Sequence, residues 1–121
     1  MKPIISRGGI WSVNFDPQKG AEIQKKRPAV VINMKHVNYL PLHIVVPITK
    51  AENRYNSIFW MVALTPTTIN GLKSNSFADA SQVKSIAIER FGNKIGVLDV
   101  TYLNEIVAAV VLCIGYTPPR P

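Results

Sequence analysis

Short apolar segments separated by polar, turn-forming stretches dominate the first two thirds of the chain. The segments 10–15, 27–33, 43–49 and 58–64 are rich in β-branched and aromatic residues, and the intervening stretches are rich in Pro, Gly, Asn and Lys. This pattern is typical of strands joined by exposed loops. We therefore predict four strands there and one or two more short strands within 77–88.

The last third of the chain changes to helical spacing. Asp99 is a suitable N-cap and Gly115 a suitable C-terminal stop, and between them apolar residues recur every three to four positions. The predicted buried face consists of Leu103, Ile106, Val107, Val110, Val111 and Ile114. The opposite face is also apolar, with Ala108, Ala109 and Leu112, which would suit cover by a second subunit.

These elements predict a mainly β fold with a C-terminal helix, in the form of a small, strongly bent sheet or barrel. One domain should span residues 1–116, and we expect the Pro-rich residues 117–121 to be a disordered tail.

The net charge indicates which kind of partner the folded chain would bind. The 121 residues include 14 Lys and Arg against 7 Asp and Glu, a formal charge of +7. A hydrophobic fraction of 47% indicates a folded chain, so the excess charge lies on a folded surface and favours a polyanionic partner. The longest apolar run, 106–114, is far shorter than the roughly 20 residues of a membrane span. No signal peptide is evident, and we expect a cytoplasmic protein without a membrane partner.

Several kinds of catalysis lack their required residues. The chain has no Gly-rich phosphate loop and no G-x-S-x-G motif, and its few acids are scattered. His36, His43 and Cys113 do not share a metal-ligand spacing, so we expect chemistry without a metal or another cofactor. We expect Cys113, within the apolar helix, to be a buried and inert thiol.

Basic and polar residues gather where the strongest strands meet loops. Arg27 opens the second predicted strand and Thr49 ends the third, so antiparallel pairing would bring them to the same end of the sheet. A guanidinium group there can bind phosphate through its planar set of donors. The nearby lysines that would attract a polyanion are Lys19, Lys25, Lys26 and Lys50. The alternative is that the lysines before Arg27 belong to an ordinary solvated loop.

Five segments follow one another with a recognisable order and spacing: 9–17, 19–22, 26–32, 46–49 and 79–86. Together they resemble the MazF/PemK/Kid family of toxin endoribonucleases over about residues 7–115. The resemblance implies a homodimeric SH3-like β-barrel of the PemK/CcdB kind. It also implies a toxin that cleaves single-stranded mRNA at specific sequences without metal and is neutralised by an acidic antitoxin. The implied reaction is a transesterification by the 2′-hydroxyl, which leaves a 2′,3′-cyclic phosphate and a 5′-hydroxyl.

The resemblance also implies roles for individual residues. Arg27 would stabilise the charge of the phosphorane, Thr49 would position the phosphate, and Glu22 would act as general base. Relatives often carry an acid just before the Gln of segment 79–86, but this chain has Ser81, so a mechanism that uses that acid cannot be transferred. The implied substrate-binding residues are Lys19, Lys25, Lys26, Asn38, Tyr39, Lys50, Ser81 and Gln82. For Gln82 a structural amide at the strand ends is an equal alternative.

Two other functions fit the same sequence. One is a non-catalytic toxin of this fold that binds a protein, as the gyrase-poisoning CcdB toxins do. The other is a small basic nucleic-acid-binding domain without activity, which Ser81 makes more credible. Arg27 and the basic stretch before it favour RNA as the partner.

Overall fold

Seven strands and one C-terminal helix form the fold in the computed structural model, which describes residues 4–37, 39–117 and 119. The elements in chain order are β1 Gly9–Asn14, β2 Lys26–Val31, β3 Leu42–Lys50, β4 Met61–Leu64, β5 Ser76–Asp79, β6 Lys84–Ala87, β7 Phe91–Val97 and α1 Val100–Cys113. The predicted fold class is confirmed, with β4 starting three residues later than the pattern predicts and with β7 as an additional strand. Of the predicted tail, residues 118, 120 and 121 lie outside the described residues, and Thr117 and Pro119 are exposed without regular structure.

β3 is the centre of an antiparallel sheet with the strand order β4-β5-β3-β2-β1-β7. One edge of β3 pairs with β2, while the other pairs first with β6 and then with β5. Pro47 lies at the change of partner, where a residue without an N–H donor is tolerated. Within the described residues β4 and β7 end the strand order and do not pair, so the sheet is bent but does not close into a barrel.

Both faces of the central strands are buried, as their continuous apolar sequences predict. Because side chains alternate along a strand, Ile10, Val30 and Val46 contribute to one core, which α1 covers. The neighbouring positions form a second core: Trp11, Val13, Phe15, Ala29, Val31, Val45 and Ile86.

The helix is confirmed, but its predicted buried face is partly wrong. The Asp99 carboxylate accepts a hydrogen bond from the Tyr102 N–H at 2.9 Å, as expected of an N-cap. Ala109, assigned to the outer face, is buried at 4% exposure, whereas Ile114 is 70% exposed. The helix lies over β4 and the turn at residues 80–82, and the small Ala109 allows close approach. Ile114 follows the last helical residue, Cys113, and its side chain lies in solvent.

Cys113, predicted to be buried, is the last residue of the helix and is exposed. Partial burial, together with the charge of Asp79, still raises the pKa of its thiol and disfavours the reactive thiolate. No helix within the described residues is long and apolar enough to cross a membrane.

The loop between β4 and β5, residues 65–75, is fixed against β7, and we refer to it as the wall loop. Its centre is the buried Asn70, whose Oδ1 accepts from the N–H groups of Thr67 and Leu72 at 3.0 Å each. The Asn70 Nδ2 donates to the Thr65 carbonyl at 2.9 Å. Three backbone groups of the loop thus depend on one side chain.

Two glycines let the wall loop approach β7 at backbone distance. Gly71 has a φ of +68°, and a Cβ at this position would overlap the Ile95 carbonyl. A Cβ at Gly96 would overlap the backbone of Asn70. The contact is completed by the Val97 N–H, which donates to the Ile69 carbonyl at 3.0 Å.

Replacing Asn70 by alanine should lower the free energy of unfolding by about 2–3 kcal/mol, because buried backbone groups lose their partners. Urea unfolding of Asn70→Ala and of the exposed neighbour control Thr68→Ala tests this, with the control expected within about 0.5 kcal/mol of the wild type. Equal stability of the Asn70→Ala variant and the wild type would contradict the role given to Asn70.

Candidate functional site

The pairing of β2 with β3 brings Arg27 and Thr49 together. Ala29 pairs with Pro47, and continuing this antiparallel register by two residues places Arg27 opposite Thr49. Arg27 is exposed and Thr49 is half-buried, so both are accessible from the end of the hairpin.

A pocket of about 420 Å³ lies at this end of the hairpin, and we refer to it as the basic pocket. Arg27, Thr49 and Lys50 line it from the hairpin, and Lys73 and Ser74 line it from the wall loop. The remaining polar lining residues are Ser12, Ser76 and Asn93. Five separate segments of the chain therefore meet around one cavity.

The basic pocket carries one sign of charge. Its lining includes the cations Arg27, Lys50 and Lys73 but no Asp or Glu. Hydroxyl and amide groups around these cations add neutral hydrogen-bond donors. Such a site favours a phosphate group and, more strongly, the additional charge that a phosphorane carries.

A second cavity of about 440 Å³ continues the basic pocket along β1 and β7. The two cavities share Ser12 and Asn93, and the second is also lined by the cations Lys26 and Arg90 and by one acid, Glu89. Through these shared residues the two cavities form one groove. Lys26 therefore lines the same groove as Arg27, but in the second cavity.

The loop between β1 and β2, residues 15–25, carries Lys19, Glu22 and Lys25, and we refer to it as the basic loop. The Glu22 Oε1 accepts a hydrogen bond from the Lys19 N–H at 3.2 Å, and the side chain is exposed. Lys19 and Lys25 are also exposed, and none of the three lines the basic pocket. The structure thus does not bring Glu22 to Arg27 and Thr49.

Gln82 connects the basic loop to the turn after β5. Its Oε1 accepts from the Ile23 N–H at 2.6 Å, and its Nε2 donates to the Asp79 Oδ2 at 3.0 Å. The exposed Ser81 donates its hydroxyl to the Asp79 Oδ1 at 2.6 Å. Both ends of the Gln82 amide are therefore engaged within the protein, which favours the structural alternative for this side chain.

Tyr39 lies at the other end of the hairpin. It is fully exposed in the loop between β2 and β3, separated from Thr49 by most of β3, on the order of 20 Å. Asn38 lies outside the described residues. Within one chain, Tyr39 and the basic pocket are thus not brought together.

The buried His43 is also remote from the basic pocket, since it lies near the start of β3. Its Nδ1 is 3.2 Å from the Asn33 Oδ1, and burial lowers the pKa of its imidazole. Within the described residues, no three His, Cys, Asp or Glu side chains are close enough to hold a metal ion.

Sequence reasoning missed Lys73 and Asn93 as lining residues. The polar stretch 73–76 was a signal for an exposed loop, but it gave no indication of what that loop would contact. Asn93 lies on β7, a strand whose two glycines and polar residues hide its pattern.

Comparisons with known proteins bear on this site. The family model described as PemK-like, MazF-like toxin of type II toxin–antitoxin system matches residues 6–114. Endoribonuclease MazF9 of Mycobacterium tuberculosis is 30% identical over 112 residues, which cover 90% of this chain and 95% of that relative.

Solved structures share the fold at lower identity. MazF from Deinococcus radiodurans superposes with a TM-score of 0.78 at 22% identity and covers 96% of this chain and 99% of its own. A mycobacterial endoribonuclease in complex with its cognate antitoxin gives a TM-score of 0.74 at 16% identity, over 94% of this chain and 98% of its own. With the family match over nearly the whole chain, this protein belongs to the PemK-like, MazF-like toxins of type II toxin–antitoxin systems.

Proposed function

We propose that this chain is a sequence-specific, metal-independent endoribonuclease toxin that cleaves single-stranded mRNA and thereby inhibits translation and growth. The observation that carries the proposal is the basic pocket, in which Arg27 and Thr49 meet with two lysines and no acid. The family membership and the endoribonuclease activity named for its relative MazF9 support it.

The proposed reaction is an attack by the RNA on itself. The 2′-hydroxyl oxygen bonds to the adjacent phosphorus, the bond to the 5′-oxygen breaks, and the proton lost from one oxygen is balanced by a proton gained at the other. The products are a 2′,3′-cyclic phosphate and a 5′-hydroxyl. Only RNA carries this nucleophile, so the reaction itself excludes DNA as a substrate.

Arg27 and Thr49 act on the phosphate. The Arg27 guanidinium stabilises the charge that accumulates on the non-bridging oxygens, and the Thr49 hydroxyl donates to one of them and fixes the phosphate. Lys26 and Lys50 hold the strand in the groove by attraction to the phosphates on either side.

Glu22 is the proposed base, and this role requires the basic loop to move. Glu22 precedes Arg27 by only five residues, and we propose that a change in the loop backbone carries its carboxylate to the groove. In that movement Lys19 and Lys25 approach the strand. In the proposed movement the Ile23 N–H leaves the Gln82 Oε1, and this oxygen alone becomes available to a base edge beside Ser81, while the Gln82 Nε2 keeps its bond to Asp79.

The remaining proposed contacts lie outside the basic pocket. The exposed ring of Tyr39 offers a stacking surface for a base, with Asn38 beside it in the sequence.

A second copy of this chain is the proposed partner of the apolar surface between β4 and α1. Phe59 and Leu112 are 65% and 58% exposed there, on either side of a shallow groove. A homodimer would cover these side chains and explain the apolar outer face of the helix.

The other proposed partner is an acidic antitoxin, in line with the mycobacterial relative solved with its cognate antitoxin. An acidic segment of the antitoxin would compete with RNA for the cations of the basic pocket. We propose the cytoplasm as the location, since mRNA and the antitoxin are made there.

Purified protein should cut a long RNA at discrete positions in the presence of EDTA. Arg27→Ala should lower the rate at least about 100-fold, because one donor to the transition-state charge is lost. Its thermal melting curve should stay near that of the wild type, since the side chain is exposed. Lys94→Ala is the matched control, because Lys94 is exposed on β7 between two lining residues but does not itself line the basic pocket.

The outcomes separate the alternatives. RNA that is bound but stays intact would identify a non-catalytic nucleic-acid-binding domain, and a chain that neither binds nor cuts RNA would favour a protein target. Full activity of Arg27→Ala would remove Arg27 from the mechanism.

For Glu22→Gln we expect kcat to fall by about 10²–10⁴-fold, the usual contribution of a general base, with RNA affinity unchanged. Turnover of Glu22→Gln equal to that of the wild type would retire Glu22 as the base.

A further inference from the structure

The wall loop is built more rigidly than a connecting loop requires. Asn70 ties three backbone groups together, and Gly71 and Gly96 allow a backbone contact with β7 that no other residue would permit. Such a fixed loop resembles the supports that hold functional side chains in place.

The wall loop presents Lys73 to the basic pocket, directly after the fixed segment. Lys73 and Ser74 line the cavity across from Arg27 and Thr49. The buried side chain of Leu72, 8% exposed, anchors the chain just before Lys73 in the core. The packing of Leu72 thus fixes the backbone at the groove wall, from which the exposed Lys73 side chain extends.

The basic pocket has no acidic lining residue that could pair with Lys73, and the Glu89 of the groove lines only the second cavity. A cation placed in a concave site without a counter-charge favours an anionic ligand. If Arg27 and Thr49 hold the phosphate that reacts, the next anion within reach along a nucleic-acid strand is the neighbouring phosphate. Lysine suits this contact because it acts as a point charge and does not demand one geometry.

We propose that Lys73 is a further substrate-binding residue, which holds the phosphate next to the one that Arg27 and Thr49 engage. This inference rests on the proposed function of the groove. The wall loop then sets the distance between the binding positions of two successive phosphates. Through this distance it sets the position of the scissile bond in the basic pocket.

The test uses a single-stranded 2′-O-methyl oligonucleotide of about ten nucleotides, which cannot be cleaved because its 2′-oxygens are blocked. It carries the sequence that the wild type cuts, or a mixed sequence if the wild type cuts none. Each phosphate is replaced in turn by a neutral methylphosphonate, and affinity is measured by fluorescence anisotropy for the wild type, Lys73→Ala, Lys73→Arg and the control Lys94→Ala.

In the wild type, one methylphosphonate beside the scissile position should weaken binding, and in Lys73→Ala the same replacement should have no further effect. The slope of log K against log salt should become shallower by about 0.7 in Lys73→Ala, as expected for one lost phosphate contact on a single strand. Lys73→Arg should restore most of the affinity. With cleavable RNA, Lys73→Ala should raise KM and leave kcat nearly unchanged.

If Lys73→Ala keeps the wild-type affinity, salt slope and phosphate profile while the wild type cuts RNA, the Lys73 proposal fails and the proposed function stands. If the wild type binds the oligonucleotide but cuts no RNA, the proposed activity fails and the phosphate profile still decides the role of Lys73. A wild type that neither binds the oligonucleotide nor cuts RNA overturns both proposals, and one that cuts RNA without binding the oligonucleotide overturns only the Lys73 proposal.

Discussion

The antiparallel pairing of β2 with β3 is the interaction on which the rest of the structure depends. Ala29, Val30, Val45 and Val46 are fully buried across this pair, and they separate and support the two cores. Each buried Val contributes about 1.5–3 kcal/mol relative to an exposed one, so the register of the hairpin is strongly favoured. The same register sets Arg27 against Thr49 at the open end, where the apolar sequence gives way to polar residues.

A second constraint completes the site from the other side. The wall loop reaches the hairpin end only because Gly71 and Gly96 let it lie directly on β7. β7 in turn is held by β1, although its pairing shifts register twice. The basic pocket is therefore the meeting place of segments far apart in the sequence, and its single sign of charge results from their combination.

The parts of this fold that are encoded locally could be predicted. The β-branched segments of β2 and β3, the N-cap Asp99 and the helical spacing after it are visible in the sequence itself, and so is the meeting of Arg27 with Thr49.

β7 was missed because Gly92, Asn93 and Gly96 interrupt its pattern, and only pairing with β1 makes it a strand. Lys73 was missed with it, because docking of the wall loop depends on that strand. Ala109 and Cys113 were misplaced because periodicity alone does not show which residues of a helix that is apolar on both faces contact the strands and the turn it packs on. The position of Glu22 depends on hydrogen bonds of the basic loop, which residue spacing does not reveal.

The central claim is that the groove lets an RNA strand attack itself, with the protein supplying charge stabilisation and proton transfer. Its most direct test replaces the single 2′-hydroxyl at one mapped cleavage position by hydrogen, in an otherwise unchanged RNA. We predict that cleavage at that position stops while binding persists, and that the unmodified RNA yields 2′,3′-cyclic phosphate and 5′-hydroxyl ends. Continued cleavage at the deoxy position would contradict the account.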